Sequence, residues 1–315
     1  MTPTAACAFP TRVTLVEVGP RDGLQNEAQA VPAQVKVELI ERLLQAGVRR
    51  IEAAAFVSPK WVPQMADGAE VLSLVPRGPG IVYAALVPNL KGFEAALASR
   101  VDEVVVFSAA SETFCRKNIN CSIDESIERF APVCQAARRA AIPVRGSISC
   151  SLGCPYEGEV RPDAVARVAR LMKDIGVQTV GVADTIGVGT PRATQRAFEA
   201  VLGVYPLQDV SGHFHDTYGQ ALANVYACLQ MGVSTFDASV AGLGGCPFAR
   251  GATGNVATED VLYLLDGLQI DTGVDLGRLV QTGQWISGVL GRKAATRAGN
   301  AISARAGAGQ TGGPT

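Results

Sequence analysis

Short apolar runs alternate with longer amphipathic stretches along this chain. The runs predict strands at Val13–Val18, Arg50–Phe56, Ile81–Val87, Glu103–Ser108, Val144–Ser149, Thr179–Ala183, Val210–His215 and Thr235–Val240. Between them, Pro32–Ala46, Ser122–Ala140, Arg161–Ile175 and Tyr218–Met231 read as helices. Gly47, Gly176 and Gly232 stand where left-handed caps end three of these. Ser122 with Glu125 three residues on has capping-box spacing. Eight strand–helix pairs in about 270 residues predict an α/β fold, a (β/α)8 TIM barrel. A doubly wound sheet is the weaker alternative, because no GxGxxG follows a strand and no GxxxxGK[ST] occurs. The chain after about Asp260 reads as additional C-terminal helices. Residues 1–305 are expected to form one domain, and Ala306–Thr315 a flexible glycine-rich tail.

Composition narrows the function classes. The 315 residues are 48% hydrophobic with mean hydropathy +0.19, enough apolar material for a large core. The net charge of -1 gives no basic face for nucleic acid. No run approaches the ~18 uninterrupted apolar residues of a membrane span, and Met1–Pro10 lacks the pattern of a secretory signal. Eight cysteines without a CxxC pair suggest reduced thiols and a cytoplasmic protein.

In a barrel of this kind, polar groups at the C-terminal strand ends converge on one site. The chain's only two histidines, His213 and His215, stand two apart on a predicted strand and so share a face. Together they make either a metal half-site or two hydrogen-bonded core imidazoles. Arg21-Asp22 follows the first strand. Asp22 can give a metal an oxygen and Arg21 can hold a developing oxyanion, although the same dipeptide also serves as a surface ion pair. After the last strand comes a loop from Gly242 to Asn255 with five glycines, able to close over a substrate. Cys246 lies within it and can move a proton if its pKa falls toward neutrality. Asn255 can complete a metal shell, with Glu259 orienting it from one helical turn away. Glu52 and Asp184 are carboxylates within apolar runs and need partners, for which Arg21 or Arg145 would serve. They are either acids of the reaction or ion pairs that hold the barrel.

Several segments carry a resemblance: Glu17–Glu27, Phe56–Met65, Lys117–Ser122, Gly153–Gly158, and above all the Gly244-Gly245-Cys246-Pro247 loop through Asp260. Over about residues 10 to 295 the chain resembles the 3-hydroxy-3-methylglutaryl-CoA (HMG-CoA) lyases. The resemblance implies a TIM barrel, a divalent Mg or Mn ion, an acyl-CoA substrate and retro-Claisen cleavage of (S)-HMG-CoA to acetyl-CoA and acetoacetate, as in leucine degradation and ketone-body metabolism. It implies a homodimer as well. By position, Asp22, His213, His215 and Asn255 match the family's metal ligands. Arg21 matches its carbonyl-stabilising arginine, Cys246 its loop cysteine, and Glu52, Asp184 and Glu259 its supporting acids. Three positions depart from the family pattern. Ala55, Ser147 and Gly181 stand where larger or hydroxylated side chains are usual. If they line the acyl pocket, they make room for a bulkier 3-alkyl group. A Claisen-type synthase and a barrel that binds metal and acyl-CoA without catalysis are the remaining alternatives.

Overall fold

The computed structural model describes residues 9–245 and 254–311, and their side chains up to residue 305. Eight parallel strands close into a barrel in sequence order, with β1 pairing β8. They are β1 (Thr14–Glu17), β2 (Arg50–Ala55), β3 (Val82–Leu86), β4 (Glu103–Ala109), β5 (Val144–Ser149), β6 (Thr179–Asp184), β7 (Val210–Phe214) and β8 (Thr235–Ala238). The helices are α1 (Ala33–Gln45), α2 (Gly68–Leu74), α3 (Leu90–Ala98), α4 (Glu112–Ile119), α5 (Ile123–Arg139), α6 (Pro162–Asp174), α7 (Pro191–Leu202), α8 (Ala221–Gln230), α9 (Thr258–Gly267), α10 (Leu276–Val289) and α11 (Arg297–Thr311). The predicted (β/α)8 barrel with extra C-terminal helices is therefore the observed fold.

Local chemistry accounts for most element ends. Ser122 and Glu125 form the complete capping box of α5. Gly47, Gly176 and Gly232 have φ of 101°, 96° and 87°, the left-handed conformation a helix C-terminus favours. Other boundaries differ from the expected ones. Helix α8 begins at Ala221 rather than near Tyr218, because Asp216 accepts from the Ala221 amide and residues before it form a turn. Helix α11 continues to Thr311, beyond the Ala306 boundary where a tail was expected. No Pro interrupts that stretch, although its two glycines favour the helix less than alanine would. The short helix α4 was not anticipated, and Ser111 caps it by accepting from the Phe114 amide.

The outer helices bury an apolar shell against the strands, with residues such as Leu39, Leu43, Phe130, Val165 and Phe198 at 0–1% exposure. Inside the barrel the packing is different. Arg50 pairs with Glu103 at 2.9 Å near the N-terminal strand ends, and further charged groups rise from there toward the C-terminal ends. Buried charges in a barrel interior require partners, and their pairing defines the site.

Candidate functional site

Arg21 and Asp22 sit on a π-helical turn, Gly19–Gly23, directly after β1. Its wide turn is closed by the Gly23 amide donating to the Val18 carbonyl. Such turns are rare and frequent at functional sites. From here six charged or titratable groups form a closed ring. Asp22 Oδ1 accepts from Arg21 Nη1 at 2.7 Å, and Arg21 Nε donates to Glu52 Oε1 at 2.7 Å. Glu52 Oε2 accepts from Arg145 Nη2 at 2.9 Å, and Arg145 Nη1 donates to Asp237 Oδ1 at 2.7 Å. Asp237 Oδ2 lies 3.1 Å from His213 Nδ1, and His213 Nε2 returns to Asp22 Oδ2 at 4.0 Å. Glu52 therefore joins both arginines that the sequence offered as partners.

The ring sets the ionisation of its members. Burial works against charge on Asp22, but Arg21, the two histidines and the Asn255 bond outweigh it and hold the carboxyl well below its ordinary value. Asp237 is likewise lowered, its burial overcome by Arg145 and His213. Burial lowers His213, yet its bond to Asp237 leaves the pKa raised. His215 has no such carboxylate, and burial with its neighbour His213 pushes it down to about 4.

Asp22, His213 and His215 can hold a metal ion, since one ligand atom from each lies within 4.8 Å of the others. Among the described residues His215 Nδ1 and Asn255 Oδ1 are buried with no hydrogen-bond partner, which is costly unless a ligand satisfies them. Two nitrogens and oxygen donors suit a divalent cation. Asn255 presents its amide nitrogen, not its oxygen, to Asp22 Oδ2 at 2.9 Å and to the Leu243 carbonyl at 3.2 Å. That is the favoured orientation beside two acceptors. Turning Oδ1 toward them is favourable only with a cation between.

Two other acids do different work from that expected. Asp184 meets neither arginine. It accepts from the Val188 and Gly189 amides at 3.1 and 2.8 Å and so holds the turn after β6. Glu259 does not orient Asn255. Its carboxylate takes the Ala241 amide at 3.0 Å, where the backbone has φ 58°. Glu17 is a third buried acid that the sequence left as a strand residue. It accepts from the Gly19 and Val240 amides at 2.9 Å and from the Thr258 hydroxyl at 2.7 Å. It thus ties the Arg21–Asp22 turn to the start of the glycine-rich loop and to α9. Cys246 falls outside the described residues. Gly245 lines the cavity, and its carbonyl accepts from Asn26 Nδ2 at 3.0 Å.

Burial pushes Glu17, Asp184 and Glu259 up to about 7, about 6 and about 8, against donors that pull the other way. Their unfolded values are lower, so the stability they confer is full below about pH 4 and is lost as pH rises through 6 to 8. Melting of the metal-free protein is expected to fall by at least ~5 °C between pH 5.5 and 8.5, at roughly 2–4 °C per kcal/mol. Glu259→Gln is expected to flatten the slope. A level melting temperature across that window contradicts the assignment.

The ring forms one wall of a cavity of about 830 Å³. Leu86, Val105, Phe107, Phe114 and Ile119 give it an apolar part, and Ser147 lines it as well. Of the three size-determining candidates only Ser147 lines the cavity. Ala55 is buried elsewhere, and a side chain at Gly181 would meet Ser211 Oγ at 3.2 Å. Gly181 is in register with Ser147, but strand tilt sets in-register neighbours at different heights in a barrel. Arg116, Lys117 and Arg129 also line the cavity, the first two exposed and marking its opening. They were not singled out from the sequence, although Lys117 opens one of the resembling segments.

Comparison with known proteins agrees with this geometry. The HMGL-like family model matches residues 12–286. A Pseudomonas aeruginosa protein named 3-hydroxy-3-isohexenylglutaryl-CoA/hydroxy-methylglutaryl-CoA lyase is 60% identical, over 95% of this chain and 99% of its own length. The crystal structure of hydroxymethylglutaryl-CoA lyase from Pseudomonas aeruginosa superposes with a TM-score of 0.92 at 59% identity, covering 94% of this chain and 99% of that one. An HMG-CoA lyase from Acinetobacter baumannii, solved with coenzyme A and 3-methylmalate, gives 0.88 at 33% identity, covering 98% and 97%. With a closed barrel, an Arg-Asp turn after its first strand and a paired histidine site at the end of its seventh, the chain belongs to the HMGL-like family.

Proposed function

We propose that the chain cleaves (S)-HMG-CoA to acetyl-CoA and acetoacetate with a bound Mg or Mn ion. The observation that carries this reading is the convergence of Arg21, Asp22, His213 and His215 on one wall of a cavity large enough for an acyl-CoA end. Asp22, His213, His215 and Asn255 would hold the ion. When bound, it would acidify the substrate's tertiary hydroxyl. The chain's own groups carry the remaining steps. Asp22 takes the hydroxyl proton, or His213 does where its Nε2 is not holding the ion. The bond between the carbinol carbon and the thioester methylene then breaks, leaving a ketone and the acetyl-CoA enolate. Arg21, fixed by two carboxylates, stabilises charge on the thioester oxygen, and Cys246 returns a proton to the methylene carbon. Arg116 and Lys117 at the opening, and Arg129 in the lining, offer positive charge to the phosphates of CoA. The buried, unbridged cysteines suit the reducing cytoplasm.

The test is direct. Purified protein with Mg or Mn and HMG-CoA is expected to form acetoacetate, to lose all activity in EDTA, and to regain it when metal is restored. Full turnover after exhaustive chelation, or no acetoacetate at all, overturns the reading.

A second substrate is favoured by one position. Ser147 is the register partner of Phe107, and both line the cavity. A small side chain there leaves room for a longer 3-substituent, such as the isohexenyl group in the name of the Pseudomonas aeruginosa relative. Each buried methylene contributes about 0.8 kcal/mol, close to fourfold. Longer 3-alkyl analogues are expected to be cleaved at least as well as HMG-CoA, and Ser147→Tyr is expected to shift kcat/KM back toward the methyl substrate. An unchanged ratio in that variant removes Ser147 from the specificity argument.

A further inference from the structure

Asp237 has no place in the sequence reading, yet it closes the ring. It lies on β8 with 8% exposure, in register with His213 on β7, so their contact is built into the sheet. Its Oδ1 accepts from Arg145 Nη1 at 2.7 Å and its Oδ2 faces His213 Nδ1 at 3.1 Å. A carboxylate ion-paired to a guanidinium is an acceptor only. In the neutral ring His213 Nδ1 must then carry the single proton, and Nε2 is left with a lone pair. The other tautomer would set two acceptors against each other in a buried site, leaving both unsatisfied. It would also aim an N–H from Nε2 at the point where Asp22 and His215 converge. His215 offers a contrast, because its Nδ1 is buried with no partner among the described residues.

We propose that Asp237, held by Arg145, is a positioning residue that selects the His213 tautomer, so that Nε2 presents a lone pair to the site. A lone pair there is what either a divalent cation or a substrate proton requires. The inference deepens the function proposed above and rests on that reading of the site. The tautomer, however, can be read in protein free of metal and substrate, so the two can fail separately.

The chain's two histidines make the experiment simple. Metal-free protein labelled with 15N-histidine gives two imidazole patterns in a long-range 15N–1H spectrum at pH 8, and His215→Gln identifies that of His213. The expected pattern for His213 is protonation at Nδ1 only. In Asp237→Asn, the new amide can keep both contacts only by accepting from Arg145 and donating to His213 Nδ1. The ring is therefore expected to switch to the Nε2–H tautomer. Mn affinity, read by electron paramagnetic resonance, is expected to fall about 10- to 100-fold, as for other groups that orient a metal-ligating histidine. A wild-type spectrum with Nε2 protonated overturns the proposal, and it does so even if the variant fails to fold. A folded Asp237→Asn with the wild-type tautomer, or with Mn affinity within twofold of wild type, overturns it too.

Discussion

Replacing Arg21 with methionine is expected to lower kcat by roughly 10²–10³ while KM changes much less. That is the cost typical of removing one preorganised oxyanion donor. The structure gives the expectation a geometric basis. Two carboxylates, Glu52 and Asp22, take Nε and Nη1 at 2.7 Å each, so the guanidinium is fixed before substrate arrives. Its Nη2 has no partner among the described residues, and Arg21 lines the cavity. A donor held in this way loses nothing to reorganisation when charge develops. Arg21→Lys is expected to recover little, because an ammonium lacks the fork that joins two carboxylates and still points a third donor outward. Steady-state kinetics decide the matter, with melting temperatures to confirm that both variants fold. A variant that mainly raises KM makes Arg21 a ground-state anchor instead.

The readable parts of this molecule are those governed by local rules. Apolar runs of five to seven residues gave the strands, and the paired spacing of His213 and His215 put both rings on one face. The glycines past three helices gave their ends. Ionic partners depend instead on which side chains the closed barrel brings together. Glu52 and Arg145 are 93 residues apart, and Arg145 and Asp237 are 92 apart. No periodicity reports such a pair. Asp237 did carry the same signal as Glu52, a carboxylate inside an apolar run, and could have been found by applying that rule to β8. Asp184 and Glu259 were placed at the site by type, but each turned to backbone amides, which any buried carboxylate can use as well as an arginine. Gly181 misses the cavity by height rather than facing, for it pairs in register with Ser147, whereas Ala55 follows a bulge after Glu52 that breaks the alternation counted from that residue. An alternating pattern tells which side of a strand a residue occupies, not how deep it lies in a tilted barrel.

Cys246→Ser is expected to lower kcat by about 10²–10⁴, the range for general acid–base groups, with metal binding intact. The described residues on both sides of 246–253 support it. Before it, Glu17 and Glu259 hold the Val240 and Ala241 amides, and Gly245 reaches the cavity wall. After it, Gly254 sits so close to the Gly242 and Gly244 carbonyls that a Cβ would come within 2.7 Å of each. Asn255 then bridges to His215. The glycine-rich segment thus leaves and re-enters the described structure at the same site. The reaction also needs a donor there. The hydroxyl proton goes to a base on one side, and the enolate carbon must receive one from another group. Serine holds its proton too tightly for that task, whereas a thiol does not. A thiol reagent is expected to inactivate the enzyme, with substrate protecting it. The six described cysteines are all buried, so a Cys7→Ser background assigns the modification to Cys246. If Cys246→Ser turns over at a near-normal rate, proton return belongs to another group, and the cysteine is only a structural part of the loop.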